Sequence, residues 1–92
     1  MPYINQIYYN QYTGAAYPKT PIILLHGIGG SHLSWPAKMR RINGYNVYAL
    51  DLPGHGKSKG VAAQDIQLYV PMMIDFLAGL GAYKAFFVGQ NM

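Results

Sequence analysis

Pro21-Ile22-Ile23-Leu24-Leu25-His26-Gly27-Ile28-Gly29-Gly30 is the stretch on which the fold turns. After the proline comes an unbroken run of β-branched and aliphatic residues. No polar residue alternates with them, so neither face of such a strand is made for water. That is the pattern of a strand inside a parallel sheet. The run then enters a turn with three glycines, Gly27, Gly29 and Gly30. The same arrangement recurs twice downstream. Val47-Tyr48-Ala49-Leu50 leads into Asp51-Leu52-Pro53-Gly54-His55-Gly56-Lys57-Ser58, and Ala85-Phe86-Phe87-Val88 leads into Gly89-Gln90-Asn91-Met92.

The segments between these strands have helical character. Residues 34–42 predict a helix with Pro36 in its first turn, where a missing N–H costs nothing. Lys38, Arg40 and Arg41 fall toward its carboxyl end, where cations suit the macrodipole, and Gly44 stops it. Residues 64–80 predict a longer helix, with Ile66, Val70, Met73, Leu77 and Leu80 at three- and four-residue spacing. A mid-helix proline costs about 3 kcal/mol, so Pro71 predicts a kink or a later start. Gly79 and Gly81 close this helix.

Upstream, residues 4–12 alternate loosely and are rich in Tyr and Ile. They predict one or two strands, with the chain turning at Asn10 or at Thr13-Gly14. A loop punctuated by Pro18 and Pro21 follows. The order is an N-terminal hairpin, then strand, helix, strand, helix, strand. Such alternation predicts an α/β fold with parallel strands and two crossover helices on the faces of the sheet. Sites in open α/β sheets gather at the carboxyl ends of strands. The three glycine-rich turns therefore share one edge.

Composition narrows the function classes. The 92 residues allow one domain. They are 51% hydrophobic and 11% charged, against about 25% charged in ordinary soluble domains. A domain this small buries only about 60–65% of its unfolded surface, so low charge implies apolar surface suited to being covered. The net charge of +4 comes from seven Lys and Arg against three Asp and Glu. Its densest stretch, Lys38-Met39-Arg40-Arg41, is too short for a nucleic-acid stripe, and no nucleic-acid partner is expected. With no Cys, disulfides and thiolate metal sites are excluded. No signal-peptide pattern opens the chain, and no apolar run approaches the ~20 residues of a bilayer span. A cytoplasmic protein with no membrane partner is the expectation.

Generic cofactor motifs fail. Gly56-Lys57-Ser58 ends like a P-loop, but that pattern needs Gly where Asp51 stands and a helix directly after the Ser. In a Rossmann pattern counted from Gly27 the third Gly falls on His32, and counted from Gly54 it falls on Lys59. His26, His32 and His55 have no helical i,i+4 pair and no acidic cluster, so they read as three separate loop histidines. No cofactor and no metal are expected.

Taken together, the three turns resemble the first three signatures of the α/β-hydrolase superfamily, and its small esterase-like or lipase-like members most. Order and spacing both agree, from the hairpin to Met92. The resemblance implies the N-terminal half of an α/β-hydrolase fold, with residues 1–92 as one partial, truncated domain. It implies an oxyanion hole formed by the backbone N–H groups of Ile28 and Met92. Gly27, Gly29 and Gly30 would let the backbone approach substrate. His26 would be structural, and Asp51, Gly54 and Gly56 would form a supporting turn. Gly89 opens the nucleophile elbow, whose family pattern is Gly-x-Ser-x-Gly.

Here the sequence departs from that pattern. Asn91 stands at the nucleophile position, and a carboxamide is not an activatable hydroxyl. Asn tolerates positive φ, so the elbow geometry can survive. A natural loss and an introduced change are both open. The acid and the catalytic His follow the elbow in the family; Asp65 and Asp75 precede it and do not substitute.

The parent is expected to be a serine-type ester hydrolase acting on a small ester-like substrate through an acyl-enzyme, and the 92-residue chain alone is expected to be inert. The alternative is a non-catalytic binding protein of the same fold. The hydrophobic strand 85–88, bare at its edge, predicts self-association or contact with a C-terminal half. Tyr8, Tyr9, Trp35, Met72, Met73 and Phe76 are expected to pack rather than line a pocket.

Overall fold

In the computed structural model, which describes residues 3–15, 20–27, 30–58, 69–82 and 84–89, a two-residue strand, β1 (Tyr3–Ile4), folds back antiparallel on β2 (Ile7–Thr13). The turn between them is Asn5-Gln6, with φ of 48° and 69°. Two left-handed residues in a two-residue loop match the twist of the flanking strands. The expected turn at Asn10 or Thr13-Gly14 is thus corrected. Asn10 and Thr13 lie inside β2, opposite Ala49 and Asn46. Gln rarely takes positive φ, which is why Asn5-Gln6 carries so little turn signal. Tertiary structure helps hold it: the Asn5 amide donates to the Asp75 carbonyl at 3.3 Å.

β3 (Ile22–Leu25) follows, then a 3-10 turn (His32–Ser34), α1 (Ala37–Arg40), β4 (Asn46–Leu50), α2 (Val70–Leu80) and β5 (Phe86–Gly89). One five-stranded sheet runs in the order β1-β2-β4-β3-β5. β4, β3 and β5 are parallel, and β2 lies antiparallel on the other side of β4. The α/β class and the parallel strands are as expected. The hairpin is part of the same sheet, which makes that sheet mixed. Leu25 stands opposite both Leu50 and Gly89, so the three parallel strands end in one line.

The helices differ from expectation in extent. α1 is a single turn instead of a helix over 34–42. Ser34 belongs to the 3-10 turn, and Arg41 leaves the helix at φ −134°. None of its residues is buried, and a helix without a buried face has little to hold it. In α2, Pro71 sits in the first turn, the position a proline tolerates. Ile66 lies outside the described residues. The face turned to the core is Tyr69, Met72, Met73, Phe76 and Leu80; Met73 and Leu80 belong to the predicted stripe, but Val70 and Leu77 are not on this face, and Val70 is exposed. Gly79 lies inside α2, where a Cβ would collide with Ile4. Gly81, at φ 76°, caps the helix and donates to the carbonyl of Ala78.

Both faces of the central strands are covered. Ile23, Leu25 and Leu50 pack with Ile7, Leu52, Tyr69 and Phe76 on one side. Leu24, Val47 and Ala49 pack with Trp35 on the other. Tyr9 and Tyr48 meet the Phe76 ring edge-on, at centroid distances of 5.4 and 6.3 Å. Trp35 and Phe76 are therefore core residues, with Tyr9, Met72 and Met73 half-buried against the same core. β5 is the exception: Phe86, Phe87 and Val88 are 57%, 43% and 36% exposed.

Candidate functional site

The carboxyl edge of the sheet is organised around two buried polar side chains, His26 and Asp51, both fully inaccessible to solvent. His26 follows the last residue of β3. Its Nδ1 lies 2.6 Å from the Gly27 carbonyl oxygen, and its Nε2 lies 2.9 Å from the backbone nitrogen of Leu52. A carbonyl only accepts and a backbone N–H only donates. Nδ1 therefore carries the proton, Nε2 accepts, and the ring is neutral. Burial pushes the imidazole below its ordinary value of 6.5, against an upward pull from the Gly27 carbonyl. The His55 ring, at a centroid distance of 4.9 Å, adds to the downward push.

Asp51 follows β4 directly. Its Oδ1 accepts the His32 backbone N–H at 2.6 Å and the His32 Nδ1 at 2.9 Å. Its Oδ2 accepts the Lys57 backbone N–H at 2.8 Å. Burial alone would raise this carboxyl. The donors from Lys57 and His32 outweigh it, so the group is held below its ordinary value and stays ionised in the interior.

The turn after β4 closes on this carboxylate. Gly54 and Gly56 take φ of 77° and 51°. A Cβ at Gly56 would overlap the Asp51 carboxyl. Ser58 Oγ accepts the Tyr8 N–H at 2.8 Å and donates to the Asp51 carbonyl, while the Asp51 N–H donates to the Tyr8 carbonyl at 2.9 Å. The start of β2 is thereby stitched to the turn. The Lys57 ammonium lies over the Tyr8 ring, 4.9 Å from its centroid.

The turn after β3 is closed by the Gly30 N–H on the Gly27 carbonyl at 3.0 Å. Ser31 then caps the 3-10 turn, its hydroxyl accepting the Leu33 N–H at 3.1 Å. Of the residues singled out from the sequence, His26, Gly27, Gly30, Asp51, Gly54, Gly56 and Gly89 all lie on this edge or at strand ends leading to it. Ile28, Gly29, Asn91 and Met92 lie outside the described residues. Two contributors were missed by sequence reasoning. His32, dismissed as a separate loop histidine, is a partner of Asp51. Ser58, part of a false P-loop, is a bridge between strands. One signal was available: an Asp directly after a fully apolar strand is buried, and a buried carboxylate needs donors.

The chain is similar to known proteins in sequence and in fold. A family model described as the alpha/beta hydrolase fold matches residues 20–90. The chain is 31% identical over 74 residues to an (E)-2-((N-methylformamido)methylene)succinate hydrolase of Acinetobacter baylyi, covering 78% of this chain and 28% of that one. It is 30% identical over 84 residues to a 2-succinyl-6-hydroxy-2,4-cyclohexadiene-1-carboxylate synthase of an Enterobacter species, covering 90% and 33%. Among solved structures, a predicted CIB-like hydrolase from Thermoplasma acidophilum superposes with a TM-score of 0.69 at 25% identity, covering 94% of this chain and 46% of that one. The chain thus spans about a third of the length of these curated relatives and about half that of the solved one. On the matched residues and the shared sheet, the chain belongs to the α/β-hydrolase fold family.

Proposed function

We propose that these residues form the oxyanion-and-nucleophile half of a hydrolase site acting on carbonyl compounds, small carboxylic esters foremost. The observation that supports it most is the strand register. Leu25, Leu50 and Gly89 stand side by side, so β3, β4 and β5 end at one edge of the sheet. In this reading the backbone N–H groups of Ile28 and Met92 receive the charge that develops on the carbonyl oxygen. Gly27, Gly29 and Gly30 clear space for that approach. Gly89 leads into the elbow, and position 91 is the nucleophile's. A serine there forms an acyl-enzyme; Asn91 has no hydroxyl and forms none. The only histidines within these 92 residues are His26, His32 and His55, all before position 91, whereas the family's base follows the nucleophile. The chain by itself is accordingly read as inert toward esters. The hydrolase names of relatives support the reaction class.

A second reading is favoured by Asn91 itself: a binding protein that keeps the fold and has lost the chemistry. One experiment separates the two. The gene is read past codon 92, and its whole product is assayed with p-nitrophenyl acetate, both unaltered and as Asn91→Ser. Turnover only in Asn91→Ser is the expected result. Binding without turnover in either form favours the second reading. Ester turnover by the unaltered 92-residue chain overturns the first.

A further inference from the structure

The Asp51 carboxylate receives three hydrogen bonds, and two of them come from one residue of a different loop, His32. A carboxylate only accepts, so the ring nitrogen facing it, Nδ1, must carry its proton. His32 is thus gripped twice, by its backbone and by its ring, on a carboxylate that is itself fully buried. The local bonds around it form a closed unit. The His32 carbonyl accepts the Trp35 N–H at 3.4 Å, Ser34 N–H donates to the Ser31 carbonyl at 2.9 Å, and Ser31 N–H donates to Ser34 Oγ at 3.1 Å. Trp35 is anchored in the core beneath, and the Tyr8 ring packs on His32 at 5.2 Å. Residues 31–35 therefore move with His32 or not at all.

The position of this pair limits what it can do. Asp51 is at the end of β4, which is two strands from β5 in the sheet order. Neighbouring strands lie ~4.8 Å apart, so the pair stands roughly 10 Å from the strand that leads into the elbow. It is too distant to touch a carbonyl there. It can act only through the loop after β3.

We propose that His32 and Asp51 are a positioning pair that sets the loop after β3 on the end of β4. This rests on the hydrolase reading for its catalytic meaning, since that loop is the one assigned an oxyanion donor. A backbone donor stabilises developing charge only when held within a few tenths of an ångström of its place. A doubly gripped imidazole on an ionised, buried carboxylate supplies that constraint.

The test uses the 92-residue chain and does not depend on turnover, so failure of the hydrolase reading leaves it intact. In the unaltered protein, nitrogen NMR of the His32 ring is expected to show Nδ1 protonated. An unprotonated Nδ1 overturns the proposal without any variant. Amide exchange is then followed in His32→Ala and His32→Asn, the latter retaining a side-chain N–H at the Nδ1 position. His32→Ala is expected to speed exchange of the Gly30 and Ser34 amides about tenfold or more while the β3–β4 ladder stays protected, and His32→Asn is expected to restore most of that protection. Uniform acceleration across the sheet, no change in the loop, or no rescue by His32→Asn overturns it.

Discussion

The neutral ring of His26 accepts the backbone N–H of Leu52 at 2.9 Å, joining the end of β3 to the residue after Asp51. This bond exists only while Nε2 is unprotonated. The ring is buried, its carbonyl partner is that of Gly27, and the ionisable groups around it are His55, Asp51 and His32. Its folded-state value is below the ordinary 6.5, so the unfolded chain binds the proton more readily. The stability contributed by the neutral ring is therefore complete above about 6.5 and is lost as pH falls from there toward the folded value. The urea midpoint is expected to drop between pH 7.5 and 5, and to drop less in His26→Gln. A midpoint that stays level over this range in the unaltered chain contradicts the assignment. Asp51 adds a second, lower window. Its folded value lies below the ordinary 3.8, so its contribution persists through pH 5 and is lost only as pH falls below about 3.8.

Gly56 and Gly44 form a controlled comparison. Both have positive φ, 51° and 84°, but Gly44 faces open space while a Cβ on Gly56 would strike the Asp51 carboxyl. Gly44→Ala is expected to cost about 1 kcal/mol, the backbone penalty alone. Gly56→Ala adds the displacement of a buried, triply bonded carboxylate, and is expected to cost roughly 2–4 kcal/mol. Denaturant melts of the two variants measure the difference. Equal losses would mean that the turn relaxes away from Asp51.

How far these features were legible depends on whether their signal is local. β3, β4 and β5 were readable because Ile22 to Leu25, Val47 to Leu50 and Phe86 to Val88 are apolar runs without polar alternation, although β5 itself stands exposed at the end of the described sheet. The glycine turns were readable because their backbone demands are carried by the glycines themselves. The Asn5-Gln6 turn was hidden, since Gln prefers negative φ and a contact to Asp75 seventy residues away supports the turn. The buried face of α2 was half legible: Met73 and Leu80 of the predicted stripe and the expected packing residue Phe76 lie on it, whereas Val70 and Leu77 do not, because an apolar helix offers several possible stripes and only contact with Tyr9 and Tyr48 selects the one through Phe76. The tie between His32 and Asp51 spans nineteen residues and two loops; the apolar strand before Asp51 signals that its carboxylate needs donors, but nothing local names His32 as one of them.

Phe76 is the side chain through which α2 holds the sheet. It is fully buried, and it contacts β2 and β4 through Tyr9 and Tyr48. Phe76→Ala is expected to cost about 3–5 kcal/mol. Small domains have only about 5–15 kcal/mol in total, so the variant should lose most of its near-UV circular dichroism at 37 °C. Phe76→Leu keeps more of the volume and should remain folded with a lowered melting temperature. A Phe76→Ala protein with an unchanged melt would show that α2 is not bound through this ring.

β5 is the remaining liability of the fold. Among the described residues it is the outermost strand beside β3, its four residues carry no charge, and Phe86, Phe87 and Val88 are all exposed. Exposed edges are normally blunted by lysine, proline or a bulge; among the described residues, Lys84 is the charged one that flanks this strand in sequence. α2 also exposes an apolar side chain, Ile74, 62% accessible beside Leu77 and Ala78. A second copy of the chain can pair its own β5 against this edge and cover both phenylalanines. The sedimentation coefficient is expected to rise with concentration through tens of micromolar. Phe87→Lys places a charge on the strand and is expected to shift the chain back toward monomer while leaving its far-UV spectrum unchanged. A single monomeric species across that range, in the unaltered chain, would show that the edge is not adhesive and that β5 needs no partner.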